Sequence, residues 1–244
     1  MRNKLAIFIL GTLVLAACDK HDPILPGVRD DIFNTKTLNI LNESVPDAPE
    51  NIATVEPVDC PYTQKSDNTI WNGERKIFSG FATGNSVAGT RTPVCNGKYV
   101  YAGLSTGELV KINPKTRAIV WIADVYRPSN MTGGASVLDI VAPIQIHEKY
   151  VYVGGLGYAF CKISDATGNA AWCTNIGVEK PFIIADTVAY IVDTEKKLNA
   201  VRLRDGAIYW RTPVKKSRTP KYENKVITVG GEKFNAETGE KISD

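Results

Sequence analysis

From residue 92 to the C-terminus, short apolar runs alternate with turn residues in a pattern that occurs four times. In the first copy, a Thr-Pro pair precedes three apolar runs, at residues 98–103, 108–112 and 118–121. Runs of this length, rich in Val, Ile and Tyr and bounded by Gly, Asn and Asp, are typical of β-strands. The copies open at Pro93, Pro143, Pro181 and Pro220. Because these copies lack an apolar stripe with the 3.6-residue helical period, the sequence predicts an all-β fold.

A tryptophan at a constant position indicates how the copies pack. It follows the last turn by four residues in the first three copies, at Trp121, Trp172 and Trp210, and the shorter fourth copy lacks it. The turn itself, Asp-Ala-Thr-Gly at 165–168 in the second copy, combines an Asp that bonds local backbone with a Gly that accepts positive φ. One small sheet leaves its faces exposed, whereas radially stacked sheets cover one another. The copies therefore predict about four blades of a β-propeller, with each Trp between neighbouring sheets.

The N-terminal 17 residues have the pattern of a secretory signal peptide. Arg2 and Lys4 precede an apolar run over 5–15, which is shorter than the roughly 20 residues of a membrane-spanning helix. The following Leu-Ala-Ala-Cys sequence resembles a bacterial lipobox, which implies cleavage before Cys18 and acylation of Cys18. An ordinary signal peptide with a coincidental cysteine is the alternative. Cleavage would lower the formal net charge from +3 to +1, because Arg2 and Lys4 leave with the signal.

Residues 18–70 are predicted to be a lipidated, flexible tether, followed by the repeat domain at 71–244. Six of the thirteen prolines lie between residues 19 and 68, and the apolar residues there keep no sustained period. Proline removes backbone donors that helices and sheets need, and such a segment acts as a linker. A local strand near residues 37–41 is the one exception that we expect.

The repeats resemble those of the PQQ-type, or quinoprotein-like, propeller family. The resemblance rests on Thr-Pro-Val at 92–94, Gly-Lys-Tyr-Val-Tyr at 97–101, the Thr-Gly turn at 167–168 and the recurrent Trp. Together with the lipobox and the Leu-Pro-Gly sequence at 25–27, they are similar to the BamB lipoproteins of that family. Those proteins have eight blades, whereas the repeats here suffice for about four. The chain forms either a compact small propeller or an open arc; exposed strand edges in an open arc favour assembly with a partner or a second copy.

This resemblance implies a non-catalytic scaffold, anchored by lipid to the periplasmic face of the outer membrane, that binds BamA and other barrel-assembly components and assists insertion of β-barrel proteins. A shortened chain that has lost this function is a further alternative. Asp19 after the anchor leaves inner-membrane retention open. In BamB an Arg-rich loop and a short Asp-x-Asp contribute to BamA binding. Here Arg127 and Asp139 match those elements, while Val141 stands where the second Asp is expected. Both residues are also explained as ordinary surface charges of a loop.

Composition and net charge exclude several classes of protein. The chain is 43% hydrophobic and 23% charged, which excludes a wholly disordered, collagen-like or polytopic membrane protein. A net charge of +3 gives no basic footprint for nucleic acid.

Catalytic chemistry has little support in the sequence. The two histidines are His21, in the tether, and His147, predicted on an exposed hairpin, and no metal-ligand spacing or phosphate loop occurs. The glycines at 154, 155 and 157 are predicted to end a strand rather than to bind phosphate. We therefore expect no enzyme activity and no cofactor; the alternative is a quinoprotein-like periplasmic oxidoreductase or a ligand-binding propeller.

Four cysteines remain once Cys18 is lipidated, and the periplasm permits disulfides. Cys161 and Cys173 flank the turn at 166–168 symmetrically, so they face each other across a predicted hairpin. That spacing suits a cross-strand disulfide, although two buried free thiols are also compatible with it.

Overall fold

The computed structural model describes residues 38–52, 59–84, 92–126 and 137–243. These residues contain strands and turns and no helix, which confirms the all-β prediction. The strands form five antiparallel sheets in chain order. The first sheet comprises β1 (Tyr62–Gln64), β2 (Thr69–Asn72) and β3 (Arg75–Ser79); the second β4 (Val94–Asn96), β5 (Tyr99–Gly103), β6 (Glu108–Asn113) and β7 (Ala118–Asp124); the third β8 (Gln145–His147), β9 (Tyr150–Gly155), β10 (Ala159–Ser164) and β11 (Ala170–Thr174); the fourth β12 (Ile183–Ala185), β13 (Val188–Val192), β14 (Lys197–Arg202) and β15 (Ile208–Pro213); and the fifth β16 (Lys221–Glu223), β17 (Val226–Val229), β18 (Glu232–Asn235) and β19 (Lys241–Ile242).

The first sheet was not among the four predicted copies. Strands β1 and β2 begin upstream of residue 71, so the ordered sheets start before the predicted end of the tether. This sheet has three strands and no Thr-Gly turn or repeat Trp, and the periodic pattern that reveals the other four is therefore missing. A local signal was nevertheless present. The Asn72-Gly73 pair is a strong hairpin sequence, and Gly73 has φ +56° in the turn between β2 and β3.

Consecutive sheets bury apolar side chains between them. An inner strand of a sheet that has a neighbouring sheet on each side is apolar on both faces. In the fourth sheet, for example, all five residues of the inner strand β13 are buried. Between the third and fourth sheets, Phe160 packs with Phe182 at a ring-centroid distance of 5.1 Å. The fifth sheet has only one such face. Its Ile227 and Phe234 pack against the fourth sheet, whereas Lys221 and Glu223 are exposed.

The repeat tryptophans pack as the sequence predicts. Each lies in the fourth strand of one sheet and covers the glycine in the last turn of the next sheet. The pairs are Trp121 with Gly168, Trp172 with Gly206, and Trp210 with Gly239. A Cβ added to any of these glycines would lie within 2.8 Å of the indole, and each glycine has φ between +72° and +77°. Glycine is therefore required at these positions for two reasons: the positive φ of the backbone and the close approach of the tryptophan.

Arg117 occupies the corresponding turn of the second sheet, with φ +59°. The preceding sheet has three strands and no tryptophan at the repeat position, since its Trp71 lies in β2. Ile77 of β3 packs against the second sheet instead. The Arg117 side chain is exposed, because no indole covers this turn. Loss of the tryptophan and loss of the glycine thus occur together at one interface between sheets.

Residues 38–52, which the sequence places in the tether, form a strap across the fourth and fifth sheets. Ile40 makes a parallel bridge with Ile208, in agreement with the local strand expected near residues 37–41. The backbone N–H of Val45 donates to the carbonyl of Glu237 at 2.8 Å. Val45 and Ala48 are buried in the core that these two sheets share. The prediction of a flexible tether is therefore wrong for residues 38–52, whose apolar side chains pack in the core of the fourth and fifth sheets and whose Asn51 accepts a hydrogen bond from Asn224, 173 residues later.

Candidate partner-binding surface

The antiparallel order of the strands collects several connections at one end of the sheets. We call this the loop end; it comprises the turns at 104–107, 156–158 and 193–196 and the segment 137–144. The turns at 148–149 and 165–169 lie at the opposite end. The loop end includes Asp139, a predicted partner-binding residue.

Asp139 lies inside the loop end rather than on its surface. The backbone of its segment connects the second and third sheets, since the N–H of Ile140 donates to the carbonyl of Leu104 at 3.2 Å and that of Leu156 donates to the carbonyl of Asp139 at 2.9 Å. The Asp139 side chain is 0% exposed. It therefore lies where it can set the shape of the loop end but not contact a partner directly. Burial of this carboxylate results from contacts between two sheets, which the sequence alone did not reveal.

Exposed apolar groups lie beside Asp139. Tyr158 is 40% exposed and Val137 is 36% exposed. Tyr158 occupies the turn after β9 with φ +58°. The neighbouring Gly157 is so close to Tyr126 that an added Cβ would lie 2.7 Å from the tyrosine Cβ. Tyr158 is not among the residues predicted from the sequence, although an aromatic residue directly after Gly157 in a predicted turn was a visible signal.

Two carboxylates face each other at the same end of the second sheet. Glu108 of β6 is the register partner of Asp124 of β7. Burial, and then the Glu108 charge, raise the pKa of Asp124 above its ordinary value. Burial raises the pKa of Tyr126 as well, with Asp124 and Glu108 contributing. The loop end therefore carries negative charge next to apolar side chains.

Cys18 and Arg127, predicted as the lipid anchor and as a partner-binding residue, lie outside the described residues. The signal peptide over 1–17 lies outside them too. Within the described residues, no helix is long and apolar enough to cross a membrane.

The described residues contain two disulfides. Cys161 and Cys173 are register partners in β10 and β11, with Cα atoms 4.1 Å apart and a bond between their sulfurs. Cys60 is bonded to Cys95 of β4, 35 residues later, and thereby ties the residue before the first sheet to the second sheet. Sequence reasoning did not pair Cys60 with Cys95, because it placed Cys60 in the tether.

His147 and the glycines at 154, 155 and 157 lie in or next to the strands of the third sheet. His147 ends β8, is half-buried, and borders a cavity of about 460 Å³ between the third and fourth sheets, with Lys162, Arg202 and Tyr209 in the wall. Gly154 and Gly155 end β9 and Gly157 follows in the turn, as predicted. Among the described residues, no group of three or more His, Cys, Asp or Glu side chains could hold a metal ion.

Comparison with known proteins identifies related sequences. A family model described as "Outer membrane protein assembly factor BamB" matches residues 52–212. Two curated relatives have that same name. The protein from Alkalilimnicola ehrlichii is 23% identical over 126 residues, covering 52% of this chain and 33% of its own length. The protein from Kangiella koreensis is 19% identical over 125 residues, covering 51% of this chain and 32% of its own. The matched region thus spans about a third of either relative.

A solved structure is similar in fold. The BamB structure from Moraxella catarrhalis superposes with a TM-score of 0.56 and 16% sequence identity, covering 75% of this chain and 56% of that one. The five sheets are accordingly blades of a PQQ-like β-propeller, one more than the four copies recognised in the sequence.

Proposed function

This chain belongs to the BamB family of outer membrane protein assembly factors, and from that premise we propose that it is a non-catalytic scaffold. In this role it binds BamA, alongside other barrel-assembly components, and assists insertion of β-barrel proteins into the outer membrane. The observation that carries the proposal is the family match over residues 52–212, which includes the first four sheets almost completely. The names of both curated relatives support the scaffold rather than the oxidoreductase alternative.

The loop end is the surface that we assign to BamA. Tyr158 and Val137 supply exposed apolar area there, and aromatic residues are enriched in protein interfaces. Buried Asp139 acts by holding the segment 137–144 between the second and third sheets. Arg127, which follows β7 by three residues, is the predicted basic contact.

Affinity capture from detergent-solubilised membranes tests this role. The tagged wild-type chain should recover BamA. The double variant Arg127→Ala, Asp139→Ala and the single variant Tyr158→Ala should each recover at least about tenfold less, the loss expected when an interface contact worth roughly 1.4 kcal/mol is removed. Lys149→Ala, at the opposite end of β9, is the matched control and should recover as much BamA as wild type. Equal recovery by all variants would remove the loop end from the proposal, and no recovery by wild type would refute BamA binding.

We also assign the membrane anchor to Cys18, on the periplasmic face of the outer membrane. Several acyl chains bury enough methylene groups for stable anchoring, at about 0.8 kcal/mol each. Metabolic labelling with palmitate should mark the wild-type chain, which should sediment with outer-membrane fractions, whereas Cys18→Ser should be unlabelled. Sedimentation with the inner membrane would instead support retention through Asp19, and an unlabelled wild-type chain would exclude the anchor.

A further inference from the structure

Strand β7 is the longest strand of the described chain and forms the edge of the second sheet. Three large aliphatic side chains project from it into solvent: Ile119, Val120 and Ile122 are 49%, 43% and 46% exposed. No charged residue interrupts β7 between Ala118 and Ala123. Within the described residues, no strand pairs with the outer edge of β7. A long apolar edge of this kind is a template for a further strand.

The corresponding edges of the first, third and fifth sheets lack this run of large exposed aliphatic residues. Strand β3 begins with exposed Arg75 and Lys76, and charged side chains discourage pairing. Strand β11 has the small residues Ala170 and Ala171 where β7 has Ile119 and Val120, as the alignment on Trp172 and Trp121 shows. Strand β19 has only two residues. The apolar edge is therefore a particular property of β7.

Strand β15 shows how this molecule covers such an edge. The strap pairs with Ile208, the first residue of β15, through one parallel bridge: the N–H of Ile208 donates to the carbonyl of Asn39 at 2.8 Å, and the N–H of Leu41 donates back to the carbonyl of Ile208 at 2.8 Å. Ile208 is completely buried beneath it. An extended segment with apolar residues thus pairs with the start of a fourth strand and covers its first side chain.

We propose that β7 binds an extended polypeptide segment with alternating apolar residues, which adds to the second sheet as a fifth strand. The proposal rests on the function proposed above, because transmembrane β-strands have this alternation over about ten residues before a barrel closes. Main-chain hydrogen bonds to the β7 edge supply affinity without strict sequence requirements. Ile119, Val120 and Ile122 select apolar side chains. The occupant is accordingly an unassembled strand of a substrate β-barrel protein.

The test uses the full mature chain and a fluorescein-labelled peptide of about ten residues in which Val and Leu alternate with Thr and Ser. Fluorescence anisotropy should show binding to wild type. The double variant Val120→Lys, Ile122→Lys should bind at least about tenfold more weakly, because lysines place charge where the peptide's apolar side chains pack. Ala171→Lys, the equivalent position of β11, is the matched control and should leave affinity unchanged. Circular dichroism should show native strand content in all three proteins.

Three results would overturn the proposal. One is equal peptide affinity in wild type and the β7 double variant; another is equally tight binding of a peptide of the same composition without alternation. The third is a dimer in sedimentation velocity that the double variant converts to a monomer, which would assign the edge to a second copy. BamA capture separates the two proposals. Lost peptide binding with intact capture of BamA refutes only the β7 site, whereas intact peptide binding without BamA capture refutes only the BamA role.

Discussion

Trp121 covers the backbone of Gly168 so closely that a Cβ added to Gly168 would lie 2.8 Å from the indole ring. The indole N–H also donates to the carbonyl of Asp165 at 2.9 Å. The second and third sheets are therefore joined by one side chain that uses both its face and its polar edge. Trp172 repeats the arrangement one sheet later, with its N–H on the carbonyl of Leu203 and its ring over Gly206.

Gly168→Ala should destabilise the fold by about 2–4 kcal/mol, from left-handed backbone strain and from overpacking against the indole. Chemical denaturation with tryptophan fluorescence measures the change. In a Trp121→Leu background, the same substitution should cost only the backbone strain, about 1–2 kcal/mol. Arg117→Gly is the control: it relieves a positive φ in a turn without an indole, so it should be neutral or slightly stabilising. Identical costs of Gly168→Ala in both backgrounds would contradict the role of the indole.

Lys111 is a second connection between the same two sheets. Its ammonium group is nearly buried, 2.8 Å from the Asp165 carboxylate and 4.3 Å above the centre of the Tyr99 ring. Lys111→Ala should cost about 2–3 kcal/mol; the partly exposed Asp165 keeps some hydration, which places the loss below that of a fully buried ion pair. Lys111→Met keeps the aliphatic stem and should cost less. Lys162, whose ammonium bonds only to a carbonyl at 3.0 Å among its described hydrogen bonds, is the comparison site. Equal stability of wild type and Lys111→Ala in urea denaturation would refute this contribution.

The two disulfides connect different parts of the fold. The bond Cys161–Cys173 lies within one hairpin, whereas Cys60–Cys95 connects two sheets. Peptide mass mapping without reduction should recover both pairs, and a free thiol at any of these four positions would contradict the pairing. Replacing Cys60 and Cys95 together by Ser should lower the free energy of unfolding by about 4 kcal/mol, because a closed loop is lost from the unfolded chain. The matched double replacement of Cys161 and Cys173, which closes a shorter loop, should cost somewhat less.

Periodicity explains which parts of the fold were predictable. The second to fifth sheets repeat proline, turn and strand at constant spacing, and the Trp–Gly contacts follow from that spacing. The strap and the Cys60–Cys95 disulfide lack this advantage because their partners are distant in sequence; Asn51, for example, accepts a hydrogen bond from the backbone of Asn224. The candidate site shows the same limit. An Asp in a loop predicts exposure, yet Asp139 is buried where the backbone of Ile140 bonds to Leu104 and its own carbonyl accepts from Leu156.

Asp124 should make stability depend on pH in an unusual direction for a carboxylate. Burial and Glu108 raise its pKa in the folded protein, so it loses its proton at a higher pH there than in the unfolded chain. Its favourable contribution is complete below the unfolded value of about 3.8–3.9 and is lost as pH rises through the folded pKa. Asp124→Asn should therefore raise the melting temperature at pH 7 and have no effect near pH 3. A destabilising effect of Asp124→Asn at pH 7 would contradict this prediction, because it would show that the ionised carboxylate stabilises the folded protein.

Asp67 is the opposite case, because hydrogen bonds from Thr69 lower its pKa in the folded protein. Its ionised form stabilises the fold, so Asp67→Asn should lower the melting temperature at pH 7.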